Sequence, residues 1–120
     1  MALIRANRGR GITKDLTITK ADDTIIIPGS SDKLRVIIGR EGRLGTNFDE
    51  AELVVTSDAA TANGSTLTKD IDSAGKNRLR LDASDLNFSP GAYSFWFEMF
   101  DYEDAEEWKL VSKQVFYLEE

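Results

Sequence analysis

The chain has 120 residues, is 41% hydrophobic and 30% charged, and carries a formal net charge of −6. That suits one folded domain with its own core and excludes a disordered or fibrous chain. Cysteine and histidine are both absent, which removes disulfides, thiolate chemistry, the usual metal ligands and the Ser-His-Asp and Cys-His catalytic arrangements.

Residues 1–11 are basic, with Arg5, Arg8 and Arg10, and contain Gly9 and Gly11. They are expected to form an arm outside the folded body, ordering on a partner surface. No apolar core follows the arginines, so the segment does not read as a secretory signal. No apolar run approaches the roughly 18–20 residues that span a bilayer, and no membrane partner is expected. Charge is uneven: residues 1–43 carry a net +4 and residues 44–120 a net −10. A basic arm against an acidic body suits docking on an acidic neighbour, an identical subunit included. An acidic body repels phosphate, so no nucleic-acid partner is expected.

From residue 12 onward, short alternating segments are separated by Gly, Asn, Asp, Ser and Pro. Residues 12–19 place Ile12, Leu16 and Ile18 on one side. Residues 24–27 are β-branched and stop at Pro28-Gly29. Residues 33–39 align Leu34, Val36 and Ile38. Residues 50–56 turn Ala51, Leu53 and Val55 inward. Residues 66–71 offer Leu67 and Ile71, and residues 77–82 include Arg78-Leu79-Arg80-Leu81, the pattern of a half-buried strand. Residues 92–101 are the most apolar stretch, and residues 108–118 close the chain. Asn63-Gly64 and residues 72–76 read as turns, and Asp82 as the N-cap of one helical turn over residues 83–87. About eight strands at this spacing predict an all-β sandwich.

Little in this chain carries chemistry. Asp101-Tyr102-Glu103-Asp104-Ala105-Glu106-Glu107 is the densest acidic run, but it lacks a calcium-loop spacing and the glycine for its sharp turn. It reads as a solvated hairpin tip, and no metal or cofactor is expected. No phosphate-binding glycine loop is followed by a helix, and no two carboxylates are directed into a shared cleft. No catalytic residue is assigned and no enzyme activity is expected. The aromatics say more. Tyr93, Phe95, Phe97 and Met99 share one face of their strand, and Ser94, Trp96, Glu98 and Phe100 the other. A sheet with one wet face is polar on its second set; Trp96 and Phe100 break that rule. Either loops or the N-terminal arm cover them, or they form a subunit contact. A sugar platform built from Trp96 and Trp108 is the other use of such rings.

The stretch Leu79-Arg80-Leu81-Asp82-Ala83-Ser84-Asp85-Leu86-Asn87-Phe88-Ser89-Pro90-Gly91-Ala92-Tyr93 reads strand, short helical turn, Pro-Gly, then Tyr. It runs into Phe95-Trp96-Phe97-Glu98, and the closing strand ends Val115-Phe116-Tyr117-Leu118. This resembles the immunoglobulin-like domains of tailed-bacteriophage structural proteins, of capsid cement, decoration or baseplate type. The resemblance implies an immunoglobulin-like antiparallel β-sandwich of about seven to eight strands over residues 12–120, preceded by the arm. Gly91 would permit the tight strand entry, and Tyr93 would act as a tyrosine corner. It further implies a non-enzymatic virion protein, assembled in the host cytoplasm, that binds capsid or tail subunits and forms homo-oligomers within the assembly. Such a chain standing alone suits a cement, decoration or tail accessory component. Arg5, Arg8, Arg10, Trp96 and Phe100 are the candidate partner-binding residues. The alternative is a carbohydrate-binding or host-adhesion module.

Overall fold

Period-two alternation, not local hydrogen bonding, builds the regular elements of this chain. The computed structural model describes residues 3–19, 22–29, 31–40, 51–100 and 107–120. Among them lie ten strands and no helix. In chain order these are β1 (Leu3–Asn7), β2 (Ile12–Leu16), β3 (Ile18–Thr19), β4 (Ile25–Ile26), β5 (Lys33–Arg40), β6 (Ala51–Thr56), β7 (Thr66–Thr68), β8 (Asn77–Leu81), β9 (Gly91–Phe100) and β10 (Trp108–Glu119). One sheet has the order β1-β10-β9-β5-β6 and a second the order β2-β8-β7, while β3 and β4 form a two-stranded ribbon.

Both larger sheets turn alternate residues into one core. β9 contributes Tyr93, Phe95 and Phe97, all fully buried, and β10 contributes Phe116 and Leu118. Leu34, Val36 and Ile38 of β5 and Leu53 and Val55 of β6 complete that inner face. Leu16, Leu67, Leu79 and Leu81 meet them from the three-stranded sheet, with Ile18 of β3 and Leu86 of the β8–β9 connection between. This is a β-sandwich arrangement, held chiefly by apolar burial at about 25 cal/mol per Å². Phe95 and Phe116 stack at 6.4 Å, and Phe88 meets Tyr93 edge-on at 4.8 Å.

Four expectations are corrected. Residues 3–7 do not stand outside the body as an arm: they form β1 and pair with β10 from Leu3↔Val115 to Asn7↔Glu119. Ile4 and Ala6 alternate inward and are buried, so the segment gains core area as well as backbone bonds. That pairing is parallel, so the sheets are not wholly antiparallel. Residues 12–19 do not make one strand: Ile12–Leu16 pairs with β8 and Ile18–Thr19 with β4. Together with β1, this split turns eight expected strands into ten. The strand expected to reach Ile71 stops at Thr68, because Asp70 adopts a positive φ of 48° and bends the chain into the hairpin loop.

The turn chemistry follows the expected residues. Asp82 accepts a hydrogen bond from the Ser84 N–H at 3.0 Å, and two successive i→i+3 bonds follow, from Asp85 to Asp82 and from Leu86 to Ala83. Gly91 enters β9 at φ 148°, a conformation side-chain-bearing residues avoid. The Tyr93 hydroxyl donates to the Ser89 carbonyl, four residues upstream.

Candidate interaction surface

The outer face of the five-stranded sheet is the part of the molecule that departs from a solvated wall. Register puts Trp96 between Ile37 of β5 and Lys113 of β10, and Phe100 between Lys33 and Trp108. These side chains face away from the core, yet Ile37 is fully buried and Trp96 and Phe100 are half-buried. Phe100 and Trp108 meet edge-on at 5.5 Å. The Arg35 guanidinium lies 4.0 Å from the centre of the Trp108 ring, and its Nε donates to Glu98 Oε1 at 2.5 Å. Side-chain exposures of 15% for Arg35 and 8% for Glu98 make this a shielded ion pair, whose charges would be costly if separated. Lys33 and Lys113 extend over Phe100 and Trp96 at 5.9 Å each, a cation–π geometry.

The cover over Trp96 and Phe100 thus includes the side chains of the sheet itself, and β1 sits at the sheet edge instead of lying across them. The Trp96 indole N–H is buried and has no acceptor among the described residues. Around this shielded centre the face carries exposed apolar side chains: Leu3 at 44%, Val54 at 37%, Leu110 at 48% and Tyr117 at 40%. Register assigns all four to the outer side. Tyr117 lies under Arg5, whose guanidinium carbon is 5.7 Å from the ring centre.

Arg5, Arg8 and Arg10 do not form one cluster with Trp96 and Phe100. Arg5 pairs with Glu119 at 2.7 Å and Arg8 with Glu120 at 3.5 Å. Their acidic neighbours are therefore the closing residues of the same chain. Arg10 is exposed, and its backbone N–H donates to the Asn7 carbonyl at 3.0 Å. The acidic run over residues 101–107 lies outside the described residues except for Glu107.

A polar cluster the sequence did not announce ties two connections together at one end of the sandwich. Asp85 accepts from the Thr61 hydroxyl at 2.6 Å, from the Asn63 amide at 2.9 Å and from the Ser65 hydroxyl. Ser65 is fully buried, and its oxygen also accepts the Asp82 N–H at 2.8 Å. Burial pushes the Asp85 carboxyl upward, but the donors from Ser65, Thr61 and Asn63 outweigh it and hold the group below its ordinary value. Both Asp85 carboxylate oxygens and the Thr61 and Ser65 hydroxyls are engaged, and they join the β6–β7 and β8–β9 connections, so the cluster is a fastener. The one available signal was Asp85 following the capping Asp82 by three residues, which does not identify partners about twenty residues away.

The depressions in the surface are shallow. One of about 380 Å³ is lined by Gly11, Thr13, Arg80 and Asp82 among others, and one of about 430 Å³ by Pro90, Tyr117 and Glu119. Among the described residues, no three acidic side chains converge as a metal site would require. No family model and no curated protein matches the chain.

Proposed function

We propose that this chain is an immunoglobulin-like structural domain of a tailed-phage virion, acting without catalysis by binding other capsid or tail subunits as a cement, decoration or tail accessory protein. The outer face of the five-stranded sheet is the contact, with Trp96 and Phe100 at its shielded centre and Leu110 and Tyr117 at its exposed margin. That concentration of apolar side chains on a face turned away from the core carries the reading, since such patches mark protein contacts.

The immunoglobulin-like part draws support from two features. The orders β2-β8-β7 and β10-β9-β5 match the B-E-D and G-F-C orders of that fold, with β6 added beyond C. The bond from Tyr93 to the Ser89 carbonyl, at the entry to the F-equivalent strand, has the form of a tyrosine corner. The phage part rests on the motif resemblance over residues 79–118. The sugar-binding alternative is weakened because Arg35 occupies a face of the Trp108 ring, the surface on which a sugar would stack.

The test mixes purified chain with isolated phage heads and tails and follows its retention by sedimentation and electron microscopy. Retention on one particle class, lost in Leu110→Asp and Tyr117→Asp variants that melt like the parent, is the expected result. A chain absent from purified particles and unretained by either class would sink the proposal.

A further inference from the structure

Among the described residues, neither outer strand of the five-stranded sheet has a partner on its far side. Main-chain groups alternate along a strand, so the bonds that are made reveal which ones are spare. The Arg8 N–H donates to the Glu119 carbonyl at 2.6 Å, so the even residues of β1 face β10 and Leu3 and Arg5 aim their N–H and C=O groups outward. At the opposite edge the Ser57 N–H donates to the Leu34 carbonyl at 2.8 Å. The odd residues Leu53 and Val55 therefore face β5, and Val54 aims its groups outward; Glu52 lies in the register shift, where Ile38 meets Leu53 and Gly39 meets Ala51. One parallel pairing followed by three antiparallel ones leaves β1 and β6 running in opposite directions.

We propose that copies of this chain associate head to tail, β1 of one adding antiparallel to β6 of the next, with Leu3 opposite Val54 and Arg5 opposite Glu52. The inference goes beyond the proposed function and concerns only copies of this chain, so it stands or falls apart from the phage reading. The register brings together Leu3 and Val54, a pair whose main-chain groups are both spare. It sets two exposed apolar side chains side by side and an exposed cation opposite an exposed carboxylate. It also places Ile4 opposite Leu53, continuing the buried inner face from one copy into the next. The Glu119 partner of Arg5 lies on the neighbouring strand β10, so an incoming Glu52 adds a second carboxylate on the opposite side of the arginine.

The other sheet shows what a guarded edge looks like. β7 has only three residues, and β2 places charged Lys14 on its core side, opposite Leu79; short length and inward charge both discourage strand addition. β1 and β6 have no charge at an inward position among Ile4, Ala6, Leu53 and Val55, and no proline. The irregularity in β6 falls at its first residues, and Leu53 to Thr56 pair regularly with β5. Different edges meeting make a heterologous contact, which generates rows or rings, not closed pairs.

The chain has no cysteine, which makes cross-linking unambiguous. A Leu3→Cys/Val54→Cys double variant under mild oxidation is expected to give a ladder of linked oligomers. An equimolar mixture of the two single variants is expected to stop at dimers. A double variant that stays monomeric up to millimolar concentration overturns the proposal, and so does Leu3→Cys alone dimerising efficiently, which would mean β1 meeting β1. Because cysteine variants can misfold, a charge series supplies a second reading by sedimentation equilibrium. Arg5→Glu and Glu52→Arg each weaken association about fivefold, and the double exchange restores it. Equal association in all four proteins, with melting temperatures matched, rules the register out.

Discussion

The two larger sheets of this sandwich treat their outer faces differently. β8, at the centre of the three-stranded sheet, alternates strictly: Asn77, Leu79 and Leu81 are buried, while Arg78 and Arg80 are exposed. Its ion pair with Asp15 across to β2, at 2.9 Å, lies open to water. β9, central in the five-stranded sheet, buries Phe95, Phe97 and Met99 on one side and Ser94 and Glu98 on the other. Its neighbouring ion pair, Arg35–Glu98, is shielded from water, with the Trp108 ring against the arginine. The same chemistry, an arginine and a carboxylate on adjacent strands, is a solubilising feature on one sheet and part of a second packed layer on the other.

That contrast can be broken or sharpened by substitution. The largest effect is expected from the shared core: Phe95→Ala should cost about 3–5 kcal/mol in chemical denaturation, because it empties a fully buried aromatic site. Glu98→Ala should cost about 3 kcal/mol by leaving Arg35 charged in a shielded site, whereas Asp15→Ala on the other sheet should leave the melting temperature unchanged. Equal losses at the two sites would erase the distinction. At the fastener joining the connections, Asp85→Ala should cost about 1–3 kcal/mol, since Ser65 is buried and would lose its acceptor.

Asp85 also sets a pH dependence. Its folded value lies below the ordinary 3.8. Its contribution is therefore full above that value and disappears as pH falls through the lower folded one, because the unfolded chain takes up the proton first. Melting temperature should decline in acid, and less steeply in Asp85→Asn than in the parent. The smallest effect is expected at Tyr93→Phe, about 1 kcal/mol, for the bond to Ser89. Burial raises the Tyr93 hydroxyl above its usual 10.0. The parent should therefore lose stability as pH rises past that value, and the variant should lose less, which alkaline melts would show.

Legibility in the sequence followed the same division. Arg78-Leu79-Arg80-Leu81 announces a strand with one wet face, and the pairing of β8 bears that out. The apolar run ending at Phe100 announces a central strand, and the parity of Tyr93, Phe95, Phe97 and Met99 gives its core face. The family resemblance implied that Tyr93 reaches back to the preceding turn, and its hydroxyl donates to the Ser89 carbonyl. The role of residues 3–7 was not legible, because five residues with two inward positions, flanked by arginines, resemble a solvated lead-in. Their register partners Phe116 and Leu118, more than a hundred residues away, bring Ile4 and Ala6 into the core. Breaks in parity at Trp96 and Phe100 set the outer face apart, where both rings are half-buried, but its cover includes Arg35 reaching Trp108. Such a contact between distant strands leaves no trace in either local pattern.

The parallel alignment of β1 with β10 has a mechanical consequence. Tension applied at Leu3 and Glu119 pulls the two strands lengthwise past each other, because they point the same way. Hydrogen bonds loaded in shear resist together, whereas those of an antiparallel terminal pair would open one after another like a zipper. The chain is thus braced against a pull along the line joining Leu3 and Glu119.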